Sequence, residues 1–191
     1  MTGIYLEKNN MEFFIGSLDE EELVKIDGIT AISKSALANS DVESILFSSC
    51  STGIGKSAFE NCDKLKTVIF GELGGDESIK EKESDKQATS TLKNVKPASV
   101  TGDFTIQTNA FKGCSSLTTL VLPQISGTLT IEKDAFSGCK KLRAVVAVCG
   151  NADFTGNPFT GCPAHLTFVC KNDSKVARFA RENGYRSVHV D

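Results

Sequence analysis

The sequence predicts an α/β solenoid of about five stacked coils, because one stretch of the chain recurs along it. Residues 131–148 read IEKDAFSGCKKLRAVVAV, and related stretches begin at Ile106, Ile54 and Ile32, with a more divergent copy at Asn157. The shared pattern is an apolar residue, an Ala-Phe pair, a turn residue, a cysteine and an apolar strand of the form L-x-x-h-x-h, where h is apolar. Repetition of a whole structural unit indicates coils that bury their apolar faces against one another.

The spacing of the copies predicts the domain organisation. Adjacent copies lie 22 to 25 residues apart, the length of one solenoid coil, except for one gap of 52 residues. The surplus falls in residues 71–96, which are rich in Gly, Glu, Lys, Ser and Asp and contain few large apolar side chains. Such a segment buries too little surface to offset its ordering entropy. We therefore expect a single domain over 1–191, with repeats at 31–70 and 97–170 and an inserted polar loop at 71–96.

Residues 1–30 are predicted to cap the entry to the array, because a terminal coil would otherwise expose the core. Residues 11–15 (MEFFI) are a strand candidate. Residues 18–26 are a candidate for a short amphipathic helix, with acidic residues in the first turn that suit the helix dipole.

Residues 171–191 are predicted to form a helical cap at the other end. One of residues 172–174 caps the helix at its start, and Gly184 is a suitable residue for its end. Val176, Phe179 and Ala180 share one face at helical spacing. The residues after Gly184 are expected to add a final edge strand.

The repeated strand pattern predicts which side chains point away from the core. In L-x-x-h-x-h the first, fourth and sixth positions point inward, and the third and fifth point outward, because side chains alternate along a strand. Stacked coils would align these outward residues in two uncharged columns on the concave face, an apolar patch of a few hundred Å² at order of magnitude. The third-position residues are Ser44, Thr67, Thr119, Ala144 and Thr167, and the fifth-position residues are Leu46, Ile69, Val121, Val146 and Val169.

Two explanations of these columns are open from the sequence. β-branched residues suit parallel strands and stack in ladders without a further purpose. Alternatively, the columns form a docking groove for an extended peptide, a partner domain or a second copy of the chain. The groove hypothesis predicts that Val121→Glu or Val146→Glu leaves folding nearly intact and abolishes association. The residues predicted to bind a partner are Leu46, Thr67, Ile69, Thr119, Val121, Ala144, Val146 and Val169.

Most of the seven cysteines follow the repeat. Cys62, Cys114, Cys139 and Cys162 occupy one position of the pattern, and the first copy has Ser40 there, so the sulfur is replaceable. The position needs a small buried residue, and cysteine supplies one. The count is odd and no C-x-x-C pair occurs. The sequence favours buried free thiols over a disulfide, with a metal site the least favoured of the three.

Composition and charge argue against several function classes. The formal net charge is −3, and the chain has no Trp and no basic block, so a nucleic-acid partner is not expected. No apolar run is long enough to span a bilayer. Residues 1–30 lack the basic start and apolar core of a secretory signal, which leaves both a cytoplasmic chain and a chain trimmed of its leader as alternatives.

Two motifs suggest chemistry, and each has a simpler explanation. The tripeptide at 55–57 is Gly-Lys-Ser, but position 50 is Cys where a phosphate-binding loop needs Gly, and Lys-Ser also occurs at the same repeat position as Lys34-Ser35. His165 and His189 lack a carboxylate or cysteine at metal-ligand or triad spacing. We therefore predict no catalytic, cofactor-binding or metal-binding residues, and no enzyme activity.

The module x-I-x-x-x-A-F-x-x-C-x-x-L-x-x-h-x-h resembles the BspA-like leucine-rich repeats of bacterial and protist surface proteins, over residues 29–170. The first copy departs from it at Leu37 and Ser40, and the last at Pro158. The resemblance implies a right-handed leucine-rich repeat array with a parallel sheet on its concave face. It also implies a noncatalytic role in protein binding or adhesion, at the cell surface or outside the cell, with a host or extracellular-matrix protein as candidate partner. The alternative is a structural spacer or self-assembling unit of a larger cell-surface protein.

Overall fold

Two sheets of mainly parallel strands run along the array. The fold is that of a computed structural model, which describes residues 2–8, 11–18, 22–48, 50, 52–78 and 91–190, with side chains at 22–48, 50, 52–74 and 94–190. The elements in chain order are β1 (Thr2–Lys8), β2 (Met11–Leu18), β3 (Leu23–Ile26), β4 (Ala31–Ile32), β5 (Ser44–Phe47), β6 (Gly53–Ile54), β7 (Thr67–Ser78), β8 (Thr91–Pro97), β9 (Ser99–Val100), β10 (Phe104–Ile106), β11 (Thr119–Val121), β12 (Gln124–Ile131), β13 (Ala144–Ala147), β14 (Cys149–Phe154), β15 (Thr167–Cys170), α1 (Lys175–Glu182) and β16 (Arg186–His189).

The first sheet contains the strands of the repeated L-x-x-h-x-h pattern. Its order along the array is β3, β5, β7, β11, β13, β15 and β16, and every neighbouring pair is parallel. The third position of each repeat stands beside the third position of the next, as in the chain of pairs Ser44–Thr67–Thr119–Ala144–Thr167. The predicted solenoid is confirmed, whereas its right-handed winding and its curvature stay predictions.

The second sheet contains the short strand that precedes each Ala-Phe pair. Its order is β14, β12, β10, β6 and β4, with β9 beside β12, again in parallel. The isoleucine that begins each copy stands beside the isoleucine of the next, from Ile32 through Ile54 and Ile106 to Ile131. These isoleucines are buried, so the space between the two sheets is the main core.

A tight turn connects the second sheet to the first in each coil, and it explains the non-apolar positions of the repeat. In the first four copies two residues of the turn have positive φ, one before the alanine and one before the cysteine position, which is Ser40 in the first copy; the fifth copy has only the second, at Gly161 with φ of 78°. Asn, Asp and Gly enter this left-handed region more readily than other residues. The first set has φ between 54° and 60° at Ser35, Ser57, Asn109 and Asp134, and the second has φ between 59° and 80° at Asn39, Asn61, Gly113 and Gly138.

The phenylalanines of the Ala-Phe pairs stack along the core. The ring centroids of Phe59 and Phe111 are 4.8 Å apart, those of Phe111 and Phe136 are 5.1 Å apart, and those of Phe136 and Phe159 are 4.9 Å apart. The planes of the stacked rings are nearly parallel, with interplanar angles of 2°, 7° and 2°. Each ring is at most 1% exposed, so each fills the space between its neighbours in adjacent coils.

The entry to the array differs from the predicted cap. The strand predicted at residues 11–15 is confirmed and lies within β2. The helix predicted at 18–26 is wrong, because residues 23–26 form strand β3 beside β5. A helix of nine residues has little stability of its own. Pairing with the adjacent coil therefore overrides the helical pattern.

The segment between the second and third full copies is not the predicted loop over 71–96. Residues 71–78 continue strand β7, and β8 returns antiparallel to it, from the pair Gly71–Pro97 at the base to Ser78–Thr91. Strand β1 pairs with β8 in parallel, and β2 pairs with β1. We call β1, β2, β8 and residues 71–78 the β-arm. Residues 79–90 of the predicted loop lie outside the described residues. Backbone ladders hold polar residues in strands here, which composition alone does not reveal.

The helix predicted after Cys170 is present as α1. The Ser174 hydroxyl accepts a hydrogen bond from the Ala177 amide at 3.2 Å, which caps the start of α1, and Gly184 has φ of 74° just after its end. Phe179 on α1 lies 5.8 Å from the Phe159 ring and so covers the last ring of the stack. The helix has eight residues, and no helix in the described ranges combines the length and apolar character needed to cross a membrane.

Truncating one ring of the stack should destabilise the whole array. We expect Phe136→Ala to lower the free energy of unfolding by about 3–5 kcal/mol, because it leaves a cavity between two coils. Phe136→Leu keeps most of the volume and should cost clearly less. Chemical denaturation of both variants measures the difference. Equal stability of Phe136→Ala and the parent would contradict the stacked register.

Candidate functional site

The candidate site is the face of the first sheet that points away from the main core, here called the outward face. In-register pairing aligns its two columns as predicted. The fifth-position column runs from Leu46 to Val169, and charged residues stand beside the columns only at the ends of the array, with Lys25 next to Leu46 and Arg186 next to Thr167. The described face is thus uncharged along its length.

The outward face is closed, which corrects the expectation of an exposed strip. Thr67, Ile69, Val121 and Val146 are 0% exposed. The other four residues predicted to bind a partner are also buried, at 1% for Thr119, 4% for Val169, 7% for Leu46 and 9% for Ala144. A side chain on an uncovered sheet would keep part of its surface in water. The chain therefore covers this face itself.

A second apolar cluster lies on the outward face, separated from the main core by the first sheet. Its buried members are Leu46, Ile69, Val95, Val121, Val146, Val148, Val169 and Val190. Val95 and the partly buried Leu73 come from the β-arm, where they stand opposite each other on β8 and β7. The fifth-position column is therefore one wall of a second core to which the β-arm contributes.

Sequence reasoning missed Leu73 and Val95. Both are isolated apolar residues in a stretch rich in Gly, Glu, Lys, Ser and Asp. Their pairing depends on a hairpin whose two strands meet only in the folded chain. The available signal was their position just outside the repeats, at the two ends of the predicted loop.

The repeat cysteines form hydrogen bonds between coils. Each thiol donates to a backbone carbonyl of the preceding coil, with sulfur–oxygen distances of 2.9 Å for Cys62 to Leu37, 3.0 Å for Cys114 to Phe59, 3.1 Å for Cys139 to Phe111 and 3.3 Å for Cys162 to Phe136. All seven cysteines are free, and all except Cys162 are buried, so the prediction of buried free thiols is confirmed.

The surroundings of Cys114, Cys139 and Cys149 favour the protonated thiol, whereas a hydrogen bond with Cys114 lowers the pKa of Cys62 to about 6. A hydrogen bond with Cys62, together with burial, raises the pKa of Cys114. A hydrogen bond with Cys162, together with burial, raises the pKa of Cys139. Burial raises the pKa of Cys149 to about 11. These three side chains are therefore neutral at physiological pH and act as small apolar residues with a weak donor.

The comparison with known families agrees with this architecture. Residues 14–101 match the family model described as BspA type leucine rich repeat region, in six copies. Residues 14–101, somewhat less than half of the chain, are thus similar to BspA-type leucine-rich repeats. The in-register strands β11, β13 and β15 continue the same coil to Cys170, beyond the matched residues. No curated protein and no solved structure matches the chain. This repeat family suggests a protein-interaction or scaffold role, is generally noncatalytic and is typically surface-associated.

The Gly-Lys-Ser tripeptide is part of the repeat region's turn ladder. The amide of Gly55 donates to the Ile32 carbonyl at 2.8 Å, that of Lys56 to the Gln107 side chain at 2.9 Å, and that of Ser57 to the Thr108 carbonyl at 3.1 Å. A phosphate-binding loop needs its amides directed at the ligand. Here the three amides instead donate hydrogen bonds to the adjacent coils, as expected for residues that belong to the repeat.

Exposed ion pairs lie at the edge of the repeat region near its entry. Lys66 contacts both Glu43 and Glu22, and Lys64 lies 3.1 Å from Asp41. The hydrogen bond from Lys66 lowers the pKa of the Glu43 carboxyl. Solvent screens such pairs, so they contribute little to stability.

A charge placed on the closed face should unfold the protein rather than act only on association. We expect Val121→Glu to lower the free energy of unfolding by about 3–5 kcal/mol, because the carboxylate would be buried without a partner. The exposed Arg143 of the adjacent coil offers a matched control, and Arg143→Glu should change stability by less than about 0.5 kcal/mol. Thermal and chemical unfolding measure both. A Val121→Glu variant as stable as Arg143→Glu would show that the face is open.

The thiols should be protected in the native state. At pH 8 a thiol-disulfide reagent should react first with Cys162, which is partly exposed, and with the other six thiols only as fast as the chain unfolds. Cys162→Ser should remove the fast fraction. Rapid reaction of several thiols in the folded Cys162→Ser chain would be inconsistent with their place in the core.

Proposed function

We propose that the chain is a noncatalytic protein-binding module of the cell surface or the extracellular space. The observation that supports this is the outward face, an uncharged double column that already holds apolar side chains of the β-arm. A face that accepts Leu73 and Val95 of the β-arm offers the same contacts to an extended segment of a partner.

In this proposal the partner contacts Leu46, Thr67, Ile69, Thr119, Val121, Ala144, Val146 and Val169. Because these residues are buried, binding requires that the partner replace cover supplied by the chain itself. The energy for this exchange comes from equivalent apolar contacts, so the partner must present a row of apolar side chains. A host or extracellular-matrix protein is the proposed partner class.

The second candidate is a structural spacer or self-assembling unit of a larger surface protein. It is favoured by the burial of both faces of the first sheet, which leaves the outward face permanently closed if the β-arm does not move. The two candidates differ in what happens when the contacts of the β-arm are weakened.

Weakening those contacts provides the test. In the double variant Leu73→Ser/Val95→Ser, the β-arm loses its apolar contacts with the cluster, so more of the outward face should become accessible. We expect binding to a panel of purified extracellular-matrix proteins to strengthen by about tenfold, which corresponds to about 1.4 kcal/mol. Surface plasmon resonance measures this, and light scattering detects self-association.

The neighbouring pair Glu72 and Lys96 supplies the control, because these residues face each other on the same two strands. Glu72→Ser/Lys96→Ser should bind as the parent does. If the folded Leu73→Ser/Val95→Ser chain binds no member of the panel and stays monomeric, the protein-binding proposal fails and the spacer is retained. Self-association alone would favour the assembling unit.

A further inference from the structure

A groove of about 410 Å³ lies between α1 and β16, at the C-terminal end of the array and away from the outward face. Arg178 and Arg181 stand one helical turn apart on the α1 side. Ser187 and His189 stand two residues apart on β16, and so on one face of that strand. A volume of this size falls within the range of small-molecule sites.

The charge on this groove is mainly positive. The lining contains two guanidinium groups and one carboxylate, that of Asp173. Several exposed lysines in the described part of the chain are paired with acids, such as Lys112 with Glu60 and Lys175 with Asp153. Among the same residues, neither Arg178 nor Arg181 has an ion pair. The two guanidinium groups are therefore available to an external anion.

The opposite wall supplies hydrogen-bonding groups and a ring. The Ser187 hydroxyl and the His189 Nε2 are 3.1 Å apart, so each limits the orientation of the other. Tyr185 is half-buried, and its hydroxyl lies 3.5 Å from the Phe159 carbonyl. Burial raises the pKa of Tyr185, so it is a neutral phenol at physiological pH. The uncharged aromatic ring of Tyr185, beside the Ser187 hydroxyl and the His189 imidazole, suits a small ligand that carries several hydroxyl groups.

We infer that this groove binds a small acidic sugar, in which Arg178 and Arg181 hold a carboxylate or phosphate and Ser187 and His189 contact the hydroxyl groups. Guanidinium groups bind both kinds of anion through paired hydrogen bonds, which a single ammonium group cannot form. The site is independent of the protein-binding role proposed for the outward face.

The test is an NMR titration of the full chain with glucuronate, glucose 6-phosphate, inorganic phosphate and glucose. We expect saturable shifts of the Ser187 and His189 amides with at least one acidic sugar, and none with glucose. The relative affinities of glucuronate and glucose 6-phosphate distinguish the carboxylate from the phosphate. Equal binding of inorganic phosphate and glucose 6-phosphate, without glucuronate binding, would remove the sugar from the proposal.

Variants of the two arginines complete the test. Arg178→Gln/Arg181→Gln should weaken binding by about tenfold or more. The exposed lysines Lys140 and Lys141 provide a control of equal charge change, and Lys140→Gln/Lys141→Gln should bind as the parent does. The inference is overturned if the parent shows no shifts in the groove, or if both double variants lose affinity equally. If the arginine variant fails to fold, the chemical-shift changes of the parent chain alone still show whether the groove binds an acidic sugar.

Discussion

The hydrogen bonds between successive turns are the constraint on which the rest of this structure depends. In each turn alternate amides donate to carbonyls of the next coil, as from Phe59 to Ala110 at 2.7 Å, Phe111 to Ala135 at 2.7 Å and Phe136 to Pro158 at 2.8 Å. These bonds form because adjacent turns have similar backbone shapes, and in the first four copies two left-handed residues define that shape. Once the turns are matched, both sheets are in register and like side chains align in columns.

The columns create two apolar cores on opposite sides of the first sheet. The phenylalanines and the cysteines occupy the inner one, where a ring stacks on the ring of the next coil and a repeat thiol donates to a backbone carbonyl of the preceding coil. The outer one is closed with the help of the β-arm. Covering the outward face in this way avoids a long exposed apolar strip, which would otherwise promote aggregation. The same arrangement limits partner binding at that face to segments that can replace the cover.

Much of the fold could be predicted because the same local sequence pattern occurs in every copy of the repeat. The strand register, the role of the cysteine position and the C-terminal helix all follow from patterns local to one coil or one helix. The closure of the outward face could not be predicted in this way. It depends on Leu73 and Val95, which are adjacent only through the β-arm, and on β1 joining a strand nearly 90 residues away. Likewise, Arg178 and Arg181 resemble ordinary solvated residues until β16 is placed opposite them.

Proton–proton contacts between phenylalanine rings test the central claim of in-register coils most directly. In a deuterated chain with protonated phenylalanine, assigned by single Phe→Leu variants, nuclear Overhauser effects should connect Phe59 with Phe111, Phe111 with Phe136 and Phe136 with Phe159, whose centroids are 4.8 to 5.1 Å apart. Rings two coils apart, such as Phe59 and Phe136, should show none. Missing contacts between neighbouring coils, or contacts that skip a coil, would contradict the account.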